Sequence, residues 1–314
     1  MTARRKLVAL ISSMAILAAV TWTVAGGMSV AQGQEKPVVI KRAHTGSFRP
    51  SFDKPIFILT IGTDAGASSY GRGGRYENGR ADAIHIIAIN PQTKKATIVG
   101  IPRDSYVPLA CGSSPNKINA AGFFGGAPCV VKTVENLSGG RIKFDYYMIG
   151  GFEQLEKAVN DLGGVPVDVE RPLGGRFTDR NSRSQNLRSG LHTLNGHDAL
   201  AYSRNRHEFG RGDFDRTVHQ GQVLVGGLTK ARELARRAPG RTLSFLRTMF
   251  RNMKSDIPLV EAFRLGLLAL QISPSDVRVT LLDGHSADTA AGSSVILENP
   301  RRILDDIATD AVIG

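Results

Sequence analysis

Arginines are concentrated in one stretch of this sequence. Four of them fall within 13 positions: Arg204, Arg206, Arg211 and Arg216. In an extended segment, the i, i+2 spacing of Arg204 and Arg206 predicts that both side chains point to the same side. From Asp213 the sequence is typical of a helix start with a carboxylate cap, which puts Arg216 and Gln220 on one helix face. Guanidinium groups that converge from a strand and a helix would bind a multiply charged phosphate, whereas the alternative is a solvated basic face.

Three apolar segments of strand length adjoin polar residues that could act on one ligand. Residues 56–62 lead into Thr63 and Asp64, and residues 83–89 follow Arg80 and Asp82. After the turn at Asn90-Pro91, residues 96–101 return as the second strand of a predicted hairpin and run into Pro102 and Arg103. Because open α/β sheets bind ligands at strand ends, we expect these polar side chains to lie together.

The two aspartates are candidate metal ligands. Mg²⁺, with Mn²⁺ as a second candidate, takes oxygen ligands and bridges carboxylates to phosphate oxygens. The alternative is that both carboxylates pair with nearby arginines. Together the carboxylates, the arginines and one glutamine predict a metal-assisted phosphate or pyrophosphate site, and the apolar excess around it leaves room for a lipid tail. The predicted site consists of Asp64, Asp82, Arg80, Arg103, Arg204, Arg206, Arg216 and Gln220.

Strand-like and helix-like segments alternate along the rest of the chain, which predicts an α/β sandwich. Residues 171–193 are polar and rich in Gly and Arg, which predicts a surface loop or a small hairpin. Predicted helices cover residues 130–137, 152–162, 217–237, 243–253, 258–272 and 300–307, and further predicted strands cover residues 144–149, 165–169 and 277–282.

Composition narrows the class of partner. The chain has 314 residues and a net charge of +12, with 28 arginines and 12 lysines. That balance suits nucleic acid, anionic lipid headgroups or phosphorylated substrates, and the arginine excess favours bidentate contact with phosphate.

The N-terminus predicts export of the rest of the chain. Arg4, Arg5 and Lys6 precede an uncharged run whose apolar part, residues 7–26, would span about 30 Å as a helix. We therefore predict a cytoplasmic tail over residues 1–6, a transmembrane anchor over 7–30, a linker over 31–54 and an extracytoplasmic domain over 55–314. The alternative is a signal peptide cleaved near Ser29–Ala31. Both topologies argue against a cytoplasmic nucleic-acid partner.

The two cysteines agree with export. Cys111 and Cys129 lie 18 positions apart in a segment rich in Gly, Pro and Ser, and the chain has no other cysteine. A disulfide between them would contribute on the order of 3 kcal/mol by the loop-entropy model, and two free thiols are the alternative. No Cys/His spacing indicates a zinc site.

Short motifs recur in a fixed order from residue 56 to the C-terminus. They are Gly62-Thr63-Asp64, Arg80-Ala81-Asp82, Ile101-Pro102-Arg103-Asp104, Lys117-Ile118-Asn119-Ala120, Gly163-Gly164-Val165, Leu194-Asn195-Gly196, Tyr202-Ser203-Arg204-Asn205-Arg206, and Asp213-Phe214-Asp215-Arg216-Thr217 with Gln220. This ordered set resembles the LytR-CpsA-Psr phosphotransferases of bacterial cell envelopes. One departure is Ala65-Gly66, where the family often has an arginine.

The resemblance implies an α/β/α sandwich with a central mixed sheet, preceded by one transmembrane helix. It implies an Mg-dependent transfer of an anionic glycopolymer from a polyprenyl-pyrophosphate carrier to peptidoglycan, forming a phosphodiester at a muramic-acid 6-hydroxyl. By position, Asp64 and Asp82 match the metal-associated carboxylates, and either is a candidate base. Arg103, Arg204, Arg206, Arg216 and Gln220 match the pyrophosphate-binding set, and Arg103, Arg204 and Arg206 are also expected to be catalytic.

Three other functions remain open from the sequence. A pyrophosphatase would need only water as the acceptor at the same site. A non-catalytic carrier of polyprenyl lipid would bind without metal dependence. A membrane-bound transcriptional attenuator has only the basic charge in its favour, because no helix-turn-helix pattern is present.

Overall fold

The computed structural model describes residues 52–63, 79–112, 114–171, 187–205 and 211–314. The chain divides into two units, Met1–Val39 and Ile40–Gly314, and all described residues belong to the second. Within these described ranges no helix is both long and apolar enough to cross a membrane. The predicted anchor at 7–30 lies outside the described residues and stays a prediction.

Strands and helices alternate along the described chain, as expected. The strands are β1 (Ile56–Thr63), β2 (Ala81–Asn90), β3 (Lys95–Ile101), β4 (Tyr106–Val107), β5 (Asn116–Lys117), β6 (Tyr146–Gly151), β7 (Val165–Val169), β8 (Gly190–Leu194), β9 (Lys254–Ser255), β10 (Val277–Leu281), β11 (Gly284–Thr289) and β12 (Gly292–Leu297). The helices are α1 (Ala120–Leu137), α2 (Phe152–Asp161), α3 (Gly196–Arg204), α4 (Asp213–Arg237), α5 (Pro239–Asn252), α6 (Leu259–Ala269) and α7 (Pro300–Asp310), with a 3₁₀ turn at Pro274–Asp276.

Six of the described strands form the central mixed sheet, in the order β10-β3-β2-β1-β6-β9. β1 pairs in parallel with β6 and β3 with β10, while β2 runs antiparallel to both β1 and β3. β1, β3, β6 and β10 therefore point the same way, and their carboxyl ends lie along one edge with the amino end of β2. The remaining described strands form small hairpins.

Helices cover both faces of this sheet. On one face Phe57, Leu59 and Ile61 pack in a buried cluster with residues of α1 and α7. On the other, Ile56 and Ile58 pack with Leu residues of α4 and α6. Successive residues of a strand point to opposite faces, and β1 is apolar on both, so a three-layer α/β/α arrangement follows. The predicted sandwich with a central mixed sheet is confirmed.

A third apolar cluster holds the segment that carries Arg204. The hairpin β7–β8, helices α2 and α3, and Val223 of α4 share one buried group of side chains. The predicted bounds of β7 are confirmed, and β7 pairs with β8. Residues 172–186 lie outside the described residues, so the surface loop or small hairpin predicted for residues 171–193 stays a prediction.

One prediction about the arginine stretch is wrong. Ala201 to Arg204 are not extended but form the last turn of α3, and Asn205 is the extended residue that ends the helix. Helix α3 begins where the Asn195 side chain accepts a hydrogen bond from the Asp198 N–H at 2.9 Å. Because Leu200, Ala201 and Tyr202 are all buried, a strand with alternating exposure does not fit this segment.

The predicted disulfide is confirmed. Cys111 and Cys129 are bonded, with their Cα atoms 5.7 Å apart. The bond ties the loop after β4 to α1, a helix that is interrupted at Gly126, where φ is +63°. That conformation favours glycine, so the break in α1 is encoded locally.

Candidate functional site

Side chains from four strand ends meet at one edge of the sheet. The last residue of β1, Thr63, lies opposite Gly151 of β6 and Ala81 of β2. Asp82 follows Ala81 at a register shift between β1 and β2, and Arg103 stands two residues after β3. This is the edge where the sequence predicted a ligand site. Asp64, the residue after β1, lies outside the described residues.

Arg103 is surrounded by carboxylates. Its Nη1 donates to Asp82 Oδ1 at 2.5 Å, and its Nε lies 3.9 Å from Asp104 Oδ2 and 3.9 Å from Asp213 Oδ1. Burial acts to lower the pKa of Arg103, but the charges of Asp82, Asp104 and Asp213 outweigh it and raise that pKa. The guanidinium is therefore a fixed positive charge at the edge of the sheet where β3 ends.

Asp104 is held by the Lys117–Asn119 block that the sequence singled out. Lys117 Nζ lies 3.7 Å from Asp104 Oδ1, and Asn119 Nδ2 donates to the same oxygen at 3.5 Å. The Asn119 N–H donates to the Arg103 carbonyl at 3.1 Å, and the Asn119 carbonyl accepts from the Ala81 N–H at 3.1 Å. Asn119 thus ties the end of β3 to the start of β2, where Arg103 and Asp82 meet.

Asp213 joins the strand end to the helix that carries Arg216. Its Oδ2 accepts a hydrogen bond from the Arg103 backbone N–H at 3.1 Å, and its Oδ1 forms an ion pair with Arg216 Nη2. The Arg216 side chain is 6% exposed and the Asp213 side chain 11% exposed. The pair is nearly buried, so its geometry is set by the fold rather than by solvent.

The helix start differs in detail from the prediction. Asp213 is the first helical residue of α4 and not its cap, which is Gly212 at φ +53°. The Asp213 carboxylate turns away from the helix backbone toward the two arginines. The predicted pairing of Arg216 and Gln220 on one helix is confirmed, since both lie in α4.

A buried histidine contacts helix α4 at the residue after Arg216. His85 of β2 is 2% exposed, and its Nε2 lies 3.2 Å from the Thr217 carbonyl. Burial, followed by the positive charge of Arg216, lowers the pKa of His85 to about 4 despite the hydrogen bond to Thr217. The neutral ring packs at Gly100, where a side chain on β3 would collide with Thr217. The glycine lets the first turn of α4 sit directly on the sheet.

Gln220 and Arg204 form a second group at the same end of the molecule. Gln220 Nε2 donates to the Ser203 carbonyl at 3.1 Å, which joins α4 to the last turn of α3. The Arg204 guanidinium lies over the Phe152 ring, 4.1 Å from its centroid. Phe152 directly follows β6, so this stacking contact places Arg204 near the carboxyl end of that strand.

The structure therefore joins part of the predicted set. Asp82, Arg103 and Arg216 form one network through Asp213, and Gln220 and Arg204 form a second group. Arg80 is exposed just before β2. Arg206 and Asp64 lie outside the described residues, so their predicted roles stay predictions.

Sequence reasoning missed Asp213 as the link between the arginines, Phe152 as the stacking partner of Arg204, and His85. The i, i+3 spacing of Asp213 and Arg216 is a signal that could have predicted their ion pair, but no local spacing could have predicted the contact of Asp213 with Arg103. An isolated histidine in an apolar strand and a phenylalanine at a helix start carry no functional signal of their own.

In the described part of the chain no three His, Cys, Asp or Glu side chains form a group that could hold a metal ion. Asp82 already bonds to Arg103, as the ion-pair alternative proposed. Mg²⁺ is commonly bound by one or two carboxylates together with substrate phosphates, so the donor chemistry at this edge still fits such an ion.

Comparison with known proteins assigns the fold and the motifs to one family. The model of the LytR_cpsA_psr family matches residues 23–309. The chain belongs to the LytR_cpsA_psr family. The resemblance seen in the ordered sequence motifs is thereby confirmed.

Several curated proteins are similar to this chain over much of its length. Biofilm regulatory protein A of Streptococcus mutans is 30% identical over 77% of this chain and 59% of its own length. A polyisoprenyl-teichoic acid–peptidoglycan teichoic acid transferase, TagU of Enterococcus faecalis, is 28% identical over 73% of this chain and 70% of its own. TagV of Bacillus subtilis, a transferase of the same description, is 35% identical over 54% of this chain and 42% of its own length. The chain thus spans between about two fifths and seven tenths of these relatives.

Solved structures share the fold. B. subtilis TagV superposes with a TM-score of 0.68 and 25% identity, covering 83% of this chain and 99% of that one. TagT bound to LI-WTA superposes with a TM-score of 0.65 and 25% identity, covering 90% of this chain and 97% of that one.

Proposed function

We propose that this protein transfers an anionic glycopolymer from a polyprenyl-pyrophosphate carrier to peptidoglycan, forming a phosphodiester. The observation that carries the proposal is the network at the sheet edge, where Asp82 and Asp213 hold Arg103 and Arg216 in place. Fixed cations at one edge of an α/β sheet are suited to a pyrophosphate, and the relatives named as teichoic acid transferases support the same class of reaction.

The proposed reaction is a phosphoryl transfer to a hydroxyl group. The acceptor oxygen, expected to be a muramic-acid 6-hydroxyl, forms a bond to the phosphorus that carries the glycopolymer. The bond from that phosphorus to the bridging oxygen breaks, and polyprenyl monophosphate leaves. The hydroxyl proton passes to a carboxylate, for which Asp64 and Asp82 are the candidates.

The arginines stabilise this reaction through charge. Arg103 keeps its proton at any working pH, because its pKa is raised by three carboxylates. Its Nε lies 3.9 Å from Asp104 Oδ2 and 3.9 Å from Asp213 Oδ1, so these carboxylates hold the guanidinium in a fixed orientation. Preorganised donors of this kind stabilise the charge that develops on the leaving phosphate without having to reorganise.

A divalent cation belongs to the proposal. Asp82 and Asp64 would hold Mg²⁺, or Mn²⁺ in its place, together with phosphate oxygens of the carrier. When bound, the ion would neutralise phosphate charge and polarise the reacting phosphoryl group.

We also propose that residues 7–30 anchor the protein in the cell membrane with the catalytic domain outside the cytoplasm. The basic residues before the apolar run support this orientation. A lipid-linked carrier and a peptidoglycan acceptor meet only on that side of the membrane.

The test is a reconstituted reaction of the full chain. The protein in detergent would be mixed with a short-chain polyprenyl-pyrophosphoryl sugar and a peptidoglycan oligomer, with and without Mg²⁺. We expect an adduct that depends on the metal and on the acceptor, and its loss in Arg204→Ala without loss of helical circular dichroism.

Arg237→Ala is the matched control. Arg237 lies at the far end of α4, its side chain is 79% exposed, and it pairs only with Glu233 among the ion pairs of the described chain. A well-folded Arg204→Ala variant that transfers as fast as Arg237→Ala would contradict the role of Arg204. Release of sugar phosphate without an adduct would instead favour a pyrophosphatase.

A further inference from the structure

Helix α6 is apolar on the side that faces away from the protein. Its inward residues Ala262, Leu265 and Leu268 are buried, and the two leucines pack in one cluster with Ile56 and Ile58 of β1. Its outward residues Leu259, Val260 and Leu267 are 51%, 69% and 52% exposed. A helix that is apolar all round is normally covered on both sides, so this outward face indicates a contact with another apolar medium.

Charged groups on α6 are few: one is buried and one is about half exposed at the edge of the outward face. Its charged residues are Glu261, which is buried, and Arg264, which bonds Glu261 through Nη1 at 3.1 Å. The Arg264 guanidinium also lies over the Phe52 ring, 4.1 Å from the centroid. An apolar stripe edged by an arginine is typical of a helix that lies in a membrane interface.

The position of Phe52 indicates which apolar medium lies near α6. Phe52 is the first described residue, and it packs against the same cluster as Leu265 and Leu268. Only residues 31–51 separate it from the predicted anchor. Twenty-one residues span at most about 70 Å even when fully extended, which limits how far Phe52 can lie from a bilayer that holds the predicted anchor.

We propose that the outward face of α6, formed by Leu259, Val260 and Leu267, rests in the headgroup region of the membrane that anchors the chain. The inference rests on the anchored topology proposed above. It would place the candidate site away from the membrane surface, because α6 packs beside the start of β1 and the candidate site lies at the other end of that strand.

Measurements of membrane depth on the full chain test the proposal independently of transfer activity. Leu267→Cys and, separately, Val260→Cys would carry a nitroxide label, with the native disulfide left intact. Thr309→Cys is the matched control, since Thr309 is an exposed residue of α7, which packs on the opposite face of the sheet. Each variant would be inserted into vesicles of equal parts phosphatidylglycerol and phosphatidylethanolamine and recovered by flotation.

We expect the labels on α6 to lose collisions with an aqueous nickel complex and gain collisions with oxygen, at a depth of about 5–10 Å, while the Thr309 label stays aqueous. Equal nickel accessibility at all three positions would overturn the proposal. Loss of both nickel and oxygen collisions at α6 would also overturn it, because a second copy or another protein segment would then cover the helix. If the chain did not float with the vesicles, both the proposed membrane anchor and this proposal would be wrong. A lack of transfer activity would contradict only the proposed reaction.

Discussion

The backbone N–H of Arg103 donates a hydrogen bond to Oδ2 of Asp213 at 3.1 Å, although 110 positions separate the two residues. The same carboxylate pairs with Arg216 in the first turn of α4. One nearly buried acidic group therefore sets the positions of two arginines that come from different layers of the fold.

Replacing the Asp213 carboxylate by an amide removes its negative charge but keeps the size and shape of the side chain. In Asp213→Asn the amide oxygen could still accept from Arg103, but the Arg216 charge would lose its buried partner. Breaking a buried ion pair costs about 3–5 kcal/mol, so we expect a loss of that order in the free energy of unfolding and a strong fall in transfer. Urea denaturation and the transfer assay measure the two effects. Asp283→Asn is the control, because its pair with Arg211 is more than half exposed and is worth about 0–1 kcal/mol. Equal destabilisation by both variants would contradict the assignment.

Phe152 acts by orienting Arg204. Phe152→Leu would keep an apolar side chain at the start of α2 but remove the ring under the guanidinium. A cation–π contact contributes about 0.5–2 kcal/mol, so we expect transfer to fall roughly 2- to 30-fold with little change in melting temperature. If Arg204 does not bind the carrier, the Leu variant would transfer at the wild-type rate.

Two buried histidines make stability fall in mild acid. Burial lowers the pKa of His85 to about 4, and it also lowers that of His219, stacked on Tyr202 at 4.2 Å, to about 4. Between about pH 6.5 and pH 4 the unfolded chain binds protons that the folded chain excludes, so stability is complete above pH 6.5 and declines as the pH falls toward 4. Each histidine contributes up to roughly 1.4 kcal/mol per pH unit.

Urea denaturation between pH 7 and pH 4.5 measures this decline. His85→Gln should flatten it, because glutamine does not titrate. Identical pH profiles for His85→Gln and the wild type would show that His85 does not titrate as described.

The disulfide stabilises the segment beside the site. It closes a loop of 18 residues between Cys111 and Cys129, worth about 3 kcal/mol by loop entropy. Reductant should lower the free energy of unfolding of the wild type by that order and leave the Cys111→Ser/Cys129→Ser double variant unchanged. If the free energy of unfolding of the wild type did not change in reductant although both thiols became free, the stabilising role of the disulfide would be contradicted.

Local patterns predicted much of this fold. The structure confirms the strands predicted from apolar runs, β1, β2 and β3, and the helices predicted from helical spacing, α2 and α4. These predictions hold because the type of each element depends on nearby residues. Hairpin β11–β12 was not predicted, because its sequence is polar and its strands do not lie in the main sheet.

The site was predictable only in part, because its geometry depends on distant contacts. Arg204 and Arg206 alternate as in a strand, yet Arg204 ends a helix whose buried residues pack against β7 and β8. The link from Arg103 to Asp213 is a tertiary contact that no local spacing encodes. By contrast, Asp82 and Arg103 lie at the ends of predicted strands, and their contact at 2.5 Å agrees with the sequence-based expectation that they meet.

The most direct test of the central claim is the chemical identity of the two products. The reaction of the full chain with a polyprenyl-pyrophosphoryl sugar and a peptidoglycan oligomer would be resolved by mass spectrometry. We predict a peptidoglycan adduct whose sugar is joined through a single phosphate, formed in equal amount with polyprenyl monophosphate. Polyprenyl monophosphate that appears together with free sugar phosphate, and without any adduct, would contradict the proposed transfer.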